Sequence, residues 1–264
     1  MLDTLRRHWP EYLMEGWALG LFMIMACAFG VLLFHPASPV PGLLPSPLLR
    51  RFLMGLAMGG TAIGNIYSPW GKRSGAHMNP AVTLSLLSLG RVSARDVPGY
   101  LAGQFLGGVG GTALAAVVLR RWIADPSVNY VVTVPGEAGV VPALAGEMLI
   151  SFCLMMTILL VLDRPRWAPY TGIFAGTLVM LYITFESPIS GMSMNPARTF
   201  GSAWVGHVWT DWWIYFLAPP LAMLGAAQLY RRLHGQQQAC AKMHHVAGVK
   251  CIFCDYVMGK SAQG

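Results

Sequence analysis

A ten-residue pattern occurs twice in this chain, with seven of its positions identical. Ser74-Gly75-Ala76-His77-Met78-Asn79-Pro80-Ala81-Val82-Thr83 and Ser190-Gly191-Met192-Ser193-Met194-Asn195-Pro196-Ala197-Arg198-Thr199 share the pattern S-G-x-x-M-N-P-A-x-T, with the two asparagines 116 positions apart. Composition alone does not produce such a repeat, so the chain reads as two related halves, about 10–120 and about 140–232. In each copy Asn is a good helix N-cap and Pro is favoured at the first helical position, so Asn79-Pro80 and Asn195-Pro196 each read as a helix start. The apolar pieces that follow, 78–90 and 187–205, are too short to span a bilayer. Each is predicted to be a loop followed by a half-helix. Two capped helices lying on a membrane surface are the plainer reading, but both pieces are too apolar to keep a wet face.

The rest of the chain says what surrounds those half-helices. Only 11% of residues are charged and 55% are hydrophobic, against about 25% charged in an ordinary soluble domain. The mean hydropathy is +0.53, more apolar surface than one soluble core of this size can hide. Uncharged stretches run 16–49, 52–71, 97–119, 138–162 (broken only by Glu147), 167–185 and 212–230. Each supplies about the 20 residues a helix needs to cross the hydrocarbon, and no alternating pattern points to a barrel. The apolar run 16–34 after Arg6 and Arg7 is longer than a signal-peptide core and reads as a retained span. The expectation is an all-α membrane protein of six transmembrane helices and two re-entrant half-helices. Three spans per half make the second copy enter from the opposite side, an inverted 3+3 repeat.

The net charge of +7 follows from orientation and calls for no nucleic-acid partner. Thirteen of eighteen basic residues fall on one side of the expected spans and four, Arg50, Arg51, Arg120 and Arg121, on the other. The positive-inside rule then places both termini in the cytoplasm of a multi-pass protein of the cell (plasma or inner) membrane. The eighteenth, Arg198, belongs to neither group. A charge at membrane depth is by default a functional hypothesis; the blander reading is an arginine snorkelling to the interface.

These residues carry a close family resemblance. The chain resembles an aquaporin, a member of the major intrinsic protein family, over all six spans and both Asn-Pro-Ala loops, roughly 10–232. Glu15, Glu147 and Gln104 match the family's buried polar residues that hold the loop backbones. The resemblance implies that the half-helices meet at the bilayer centre, that each subunit is one pore, and that four subunits form a homotetramer. It implies a passive channel, not an enzyme, needing no cofactor, whose partners are the lipid bilayer, water and small neutral solutes. The positive ends of two helix dipoles would repel cations where the half-helices meet, and the amides of Asn79 and Asn195 would donate hydrogen bonds to a passing oxygen. The sites expected are therefore the motifs Asn79, Pro80, Ala81 and Asn195, Pro196, Ala197. Arg198 takes the place of the family's constriction arginine.

The other constriction positions depart from the water-selective pattern. Twelve residues before Asn195 stands Ile183, where strict water channels carry His, and three before it stands Met192. The segment 67–73 looks longer than the usual loop, and matching the second-span pattern selects Met54, with Phe52 as its rival. Ile183 also reads plainly as a packing residue. Thr199, Ala203, Tyr215 and Phe216 are the water-channel kind of residue where glycerol channels differ, and the compact motif spacing is typical of the water branch. The expectation is a water channel with leakage of small neutral solutes; a glycerol or small-polyol, ammonia or hydrogen peroxide facilitator is the alternative. A proton-coupled transporter using Glu15 and Glu147 and a membrane-embedded enzyme are remoter readings, and no G-x-S-x-G or H-E-x-x-H motif supports the latter.

Residues 233–264 change character and read as a cytoplasmic tail. Cys240, His244, His245, Cys251 and Cys254 fall within fifteen positions and include a C-x-x-C pair, a donor set suited to zinc. Lipidation of a cysteine and a plain reduced tail are the other readings. Cys27 and Cys153 lie in spans and read as small packing residues. Trp9, Trp17, Trp209, Trp212 and Trp213 near span ends suit an interfacial belt.

Overall fold

The computed structural model describes residues 2–235, 240–242 and 248–256. Among the described residues the chain is helical, with no β-strand. Six long helices are α1 (Leu2–Phe34), α3 (Pro47–Tyr67), α6 (Val97–Leu119), α7 (Val140–Leu162), α8 (Thr171–Phe185) and α11 (Trp213–His234). Two short ones are α5 (Pro80–Ser88) and α10 (Pro196–Gly206), and brief turns of helix form α2 (Val40–Leu43), α4 (Pro69–Ser74) and α9 (Ser187–Ser190).

The helices α1, α6, α7 and α8 (with the turn before it) are each long and apolar enough to cross a membrane. At 21 and 22 residues, α3 and α11 reach about 30 Å, but each carries an arginine pair in or near an end turn. The half-helices begin as the motif chemistry requires: Asn79 and Asn195 are N-caps in extended backbone and each is followed by Pro.

Two boundaries differ from the sequence expectation. The uncharged stretch 16–49 is not one span. Helix α1 stops at Phe34, and Pro36, Pro39, Pro41 and Pro45 break the segment after it, since proline lacks the N–H that a helix interior uses. Helix α3 then starts at Pro47, capped by Ser46 accepting from the Leu49 N–H at 3.4 Å, so Arg50 and Arg51 lie inside it. Residues 69–74 wind into α4 under a second cap, Ser68 Oγ accepting from Gly71 N–H at 2.9 Å, which shortens what looked like a long loop.

The packing pairs follow the repeat. Helix α1 packs on α6 as α7 packs on α11; α10 lies against α6 as α5 lies against α11; α3 and α8 pack on each other. Small residues set the close approaches, as in membrane helix pairs generally. A Cβ on Gly107 of α6 would sit 2.1 Å from the Gly16 carbonyl oxygen of α1, and one on Gly59 of α3 would sit 2.5 Å from that of Gly176 in α8.

One face of the bundle gathers the chain's start, the 91–96 turn, the 163–167 turn and the end of α11. Arg73 pairs with Glu11 at 2.9 Å and His8 with Asp96 at 2.6 Å. Arg91 pairs with Asp163, which also accepts from Tyr230 Oη at 2.7 Å. The residues 240–242 and 248–256 fold back onto this same face, where Ala241 joins the main apolar core.

Candidate functional site

The two half-helices meet through their caps. Asn79 Oδ1 accepts from the Ala81 N–H at 2.9 Å, and Asn195 Oδ1 accepts from those of Ala197 and Arg198 at 3.0 and 3.2 Å. That use of the oxygens fixes both amides. Asn79 Nδ2 donates to the Met194 carbonyl and Asn195 Nδ2 to the Met78 carbonyl, both at 2.7 Å. Each NH2 group has two hydrogens, so the reciprocal bonds use one and leave the other for whatever occupies the cavity that both asparagines line.

The carbonyls can receive these bonds because the loop backbone is turned over. Ala76, Met78, Met192 and Met194 all have φ between 48° and 54°, the left-handed region that side-chain-bearing residues seldom enter. Two buried carboxylates hold them there. Glu15 accepts from Ser74 Oγ at 2.8 Å and from the N–H groups of His77 and Met78 at 3.0 and 2.7 Å. Glu147 accepts from Ser190 Oγ at 3.0 Å and from the N–H groups of Ser193 and Met194 at 2.5 and 2.7 Å. Gln104 donates to Glu15 at 3.0 Å and to Thr83 Oγ1 at 3.1 Å.

Tyr100 and Thr133 join these cradles without any signal in the sequence, and Tyr215 and Thr199, marked there only as water-branch residues, join them too. Tyr100 Oη donates to the Ser74 carbonyl and Tyr215 Oη to the Ser190 carbonyl, while Thr199 Oγ1 lies 2.6 Å from Ser193 Oγ and 2.7 Å from Thr133 Oγ1. Among the cradle hydroxyls, the repeat itself marks Ser74/Ser190 and Thr83/Thr199, its first and last shared letters.

A cavity of about 500 Å³ runs through the bundle past the asparagines. Phe34, Arg51 and Val131 line one end, and Gly75, Leu162 and Ala241 line the other. Met54, Ile183, Met192 and Arg198, the four residues expected at the constriction, all line it. Phe52, the rival of Met54, is 40% exposed and does not. Arg51 Nε donates to the Thr184 carbonyl at 3.1 Å, and a Cβ on Gly55 would touch Met180 and Thr184, which puts Met54 level with Ile183. Arg198 Nη1 is buried without a hydrogen-bond partner. Three apolar walls thus share the cavity with one unsatisfied guanidinium donor. Arg51, a second cation at the mouth, was read from the sequence only as an orientation charge.

The sulfur atoms of Cys240, Cys251 and Cys254 lie within 4.8 Å of one another, with Cys240 and Cys251 3.6 Å apart. The hydrogen bond between those two favours ionisation of one sulfur of the pair, with one thiol pushed below the ordinary range and the other held above it. His244 and His245, the other donors expected from the sequence, lie outside the described residues.

The profile of the family described as "Major intrinsic protein" matches residues 5–230. The chain belongs to the major intrinsic protein family. Similar relatives of this family include aquaporin NIP1-3 of Oryza sativa subsp. japonica, 37% identical over 61% of this chain and 54% of its own length. Another is aquaporin NIP2-2 of Zea mays, 35% identical over 70% of this chain and 61% of its own. The chain thus spans roughly half to six-tenths of the length of the curated relatives it matches. Among solved structures, the aquaglyceroporin from Plasmodium falciparum has the same fold, with a TM-score of 0.71 over 85% of this chain and 96% of that one at 19% identity. Membership of this family makes the all-helical bundle a membrane protein and accounts for the paired half-helices.

Proposed function

We propose that this member of the major intrinsic protein family is a passive transmembrane channel for water and small neutral solutes that excludes protons and ions. The observation that carries this reading is the reciprocal pair of bonds from Asn79 and Asn195 inside a cavity running through the bundle. With both side-chain oxygens facing their own helices, only amide N–H groups face a solute, so a water or hydroxyl oxygen turns toward them. Two helix N-termini, each worth about half a positive charge, oppose any cation at that spot and break a proton relay along a file of waters. A neutral solute exchanges one set of hydrogen bonds for another.

Arg198 is the polar element of the selectivity filter, with Met54, Ile183 and Met192 as its apolar walls. Glu15, Glu147 and Gln104 are structural, since backbone N–H groups and serine hydroxyls occupy the two carboxylates. No conduction step needs a cofactor. The channel domain comprises residues 1–232 and the tail 233–264. Both termini are cytoplasmic in the cell membrane, and four copies assemble, each with its own pore. The three apolar walls favour a second activity, passage of small solutes with hydrophobic surface such as glycerol, together with ammonia and hydrogen peroxide.

Osmotic shrinkage of proteoliposomes followed by stopped flow tests the water reading, and isotonic swelling in glycerol tests the second. Water permeability no greater than that of empty vesicles would remove the first.

A further inference from the structure

The tail residues form a strap across one end of the cavity. Ala241 is buried and lines the cavity itself. Phe253 stacks on His77 with ring centroids 5.6 Å apart and rests against Tyr100 at 5.8 Å. Lys242 is buried with its ammonium 5.3 Å from the centre of the Phe253 ring. The strap therefore covers residues at the heart of the first motif loop. Covering them has a cost: His77 Nε2 is buried with no hydrogen-bond partner, and a buried polar atom left unsatisfied disfavours the closed arrangement. Released, the strap would return water to that nitrogen.

Something must offset this cost, and the three cysteines stand where it would act. Cys240 directly precedes Ala241, and Cys251 and Cys254 flank Phe253. Tetrahedral thiolates around zinc at about 2.3 Å sit about 3.8 Å apart; the sulfurs here lie within 4.8 Å, one pair at 3.6 Å. Cys251 is buried and Cys254 is exposed, so an ion can enter from solvent. The short turn joining them is closed by Asp255 N–H to Cys251 O at 3.0 Å and Cys251 N–H to Tyr256 O at 2.9 Å.

We propose that Cys240, Cys251 and Cys254 form a binding site for a soft divalent metal ion such as zinc, and that the bound ion pins Ala241 and Phe253 across the cavity mouth and closes it. The ion would join the two ends of the strap, so that lifting Ala241 or Phe253 alone would require breaking a metal–sulfur bond. Three thiolates leave one tetrahedral position for water. The closure half rests on the channel reading above; the metal half does not.

The test uses the full chain, purified without a histidine tag, in proteoliposomes. Zinc content is measured after loading and after chelation, and water permeability is measured in both states. One zinc per chain and a permeability at least severalfold lower when loaded are expected. The triple variant Cys240→Ser, Cys251→Ser, Cys254→Ser should bind no stoichiometric zinc and stay at the permeability of the chelated protein. Phe253→Ala, which keeps all three thiols, should bind zinc yet close poorly. No stoichiometric zinc, or equal inhibition of the triple variant, overturns the proposal. Zinc bound with unchanged permeability of a conducting protein overturns closure. No flux from any variant in either state removes the channel reading and closure with it, while the zinc stoichiometry still decides the site.

Discussion

Asn79 donates its side-chain amide to the carbonyl oxygen of Met194 at 2.7 Å, and thereby ties the first motif to a residue 115 positions away in the second. Its own side-chain oxygen caps α5 at Ala81. The same amide thus closes a helix, joins the two halves and presents a donor to the cavity. Replacing Asn195, its counterpart, by Asp keeps the capping oxygen but removes the donor to Met78 and adds a negative charge where two helix dipoles converge. Asn195→Asp is expected to lower water permeability and to admit cations, read as a new conductance in planar bilayers. An unchanged conductance would contradict the electrostatic barrier placed at the asparagines.

Arg198 has a guanidinium nitrogen buried without a partner in the same cavity as Met54, Ile183 and Met192. Truncation to Ala removes the charge and widens the passage together. Arg198→Ala should raise glycerol uptake by about tenfold, the effect of roughly 1.4 kcal/mol on a barrier, and should add a proton leak detectable with an entrapped pH dye. Uptake that falls would place the solute's path elsewhere.

Ile183 supplies an apolar wall level with Met54. Ile183→His puts a polar ring there and narrows the passage. Glycerol uptake is expected to fall while water permeability is kept within about twofold, less than 0.5 kcal/mol of barrier. A rise in glycerol uptake would show that Ile183 is not part of the constriction.

Glu147 accepts two backbone N–H groups and one serine hydroxyl. Glu147→Gln keeps the shape but turns one acceptor into a donor facing an N–H. With hydrogen bonds to a charged group worth about 1.5–3 kcal/mol each, the variant should unfold in detergent several degrees lower. The surviving folded fraction should still conduct passively. If instead a proton gradient drove solute accumulation in the wild type and Glu147→Gln abolished it, the carboxylate would be a coupling group.

Much of this architecture was legible because the chain repeats a motif whose residue types have strong local meaning. Asn-Pro starts a helix wherever it stands, and the observed caps fall on Asn79 and Asn195. The lengths of α6, α7 and α8 followed from charge-free runs with charged or turn residues at both ends. For the end of α1 the absence of charge was a poor guide, because the proline segment after Phe34 is as uncharged as the helix before it and the charge-free stretch runs on to Leu49, whereas the apolar run stops at Phe34. Tyr100 carried no signal, and Tyr215 only that of a water-branch residue, for a related reason: buried tyrosines in apolar helices show their partner only once the loops are placed against them. The fold-back of Ala241 and Phe253 was equally hidden, since the apolar residues of 240–256 are scattered among lysines, histidines and cysteines with no period to show which of them pack.

In the proposed channel, one pore passes neutral solutes and refuses ions because of the paired amides and helix ends. Proteoliposomes holding a pH-sensitive dye, with zinc chelated, allow osmotic water flux and proton flux to be recorded on the same preparation. Water permeability well above that of empty vesicles is expected, with proton entry no faster than in those vesicles. Water flux accompanied by matching proton entry, or no excess water flux, would contradict this reading.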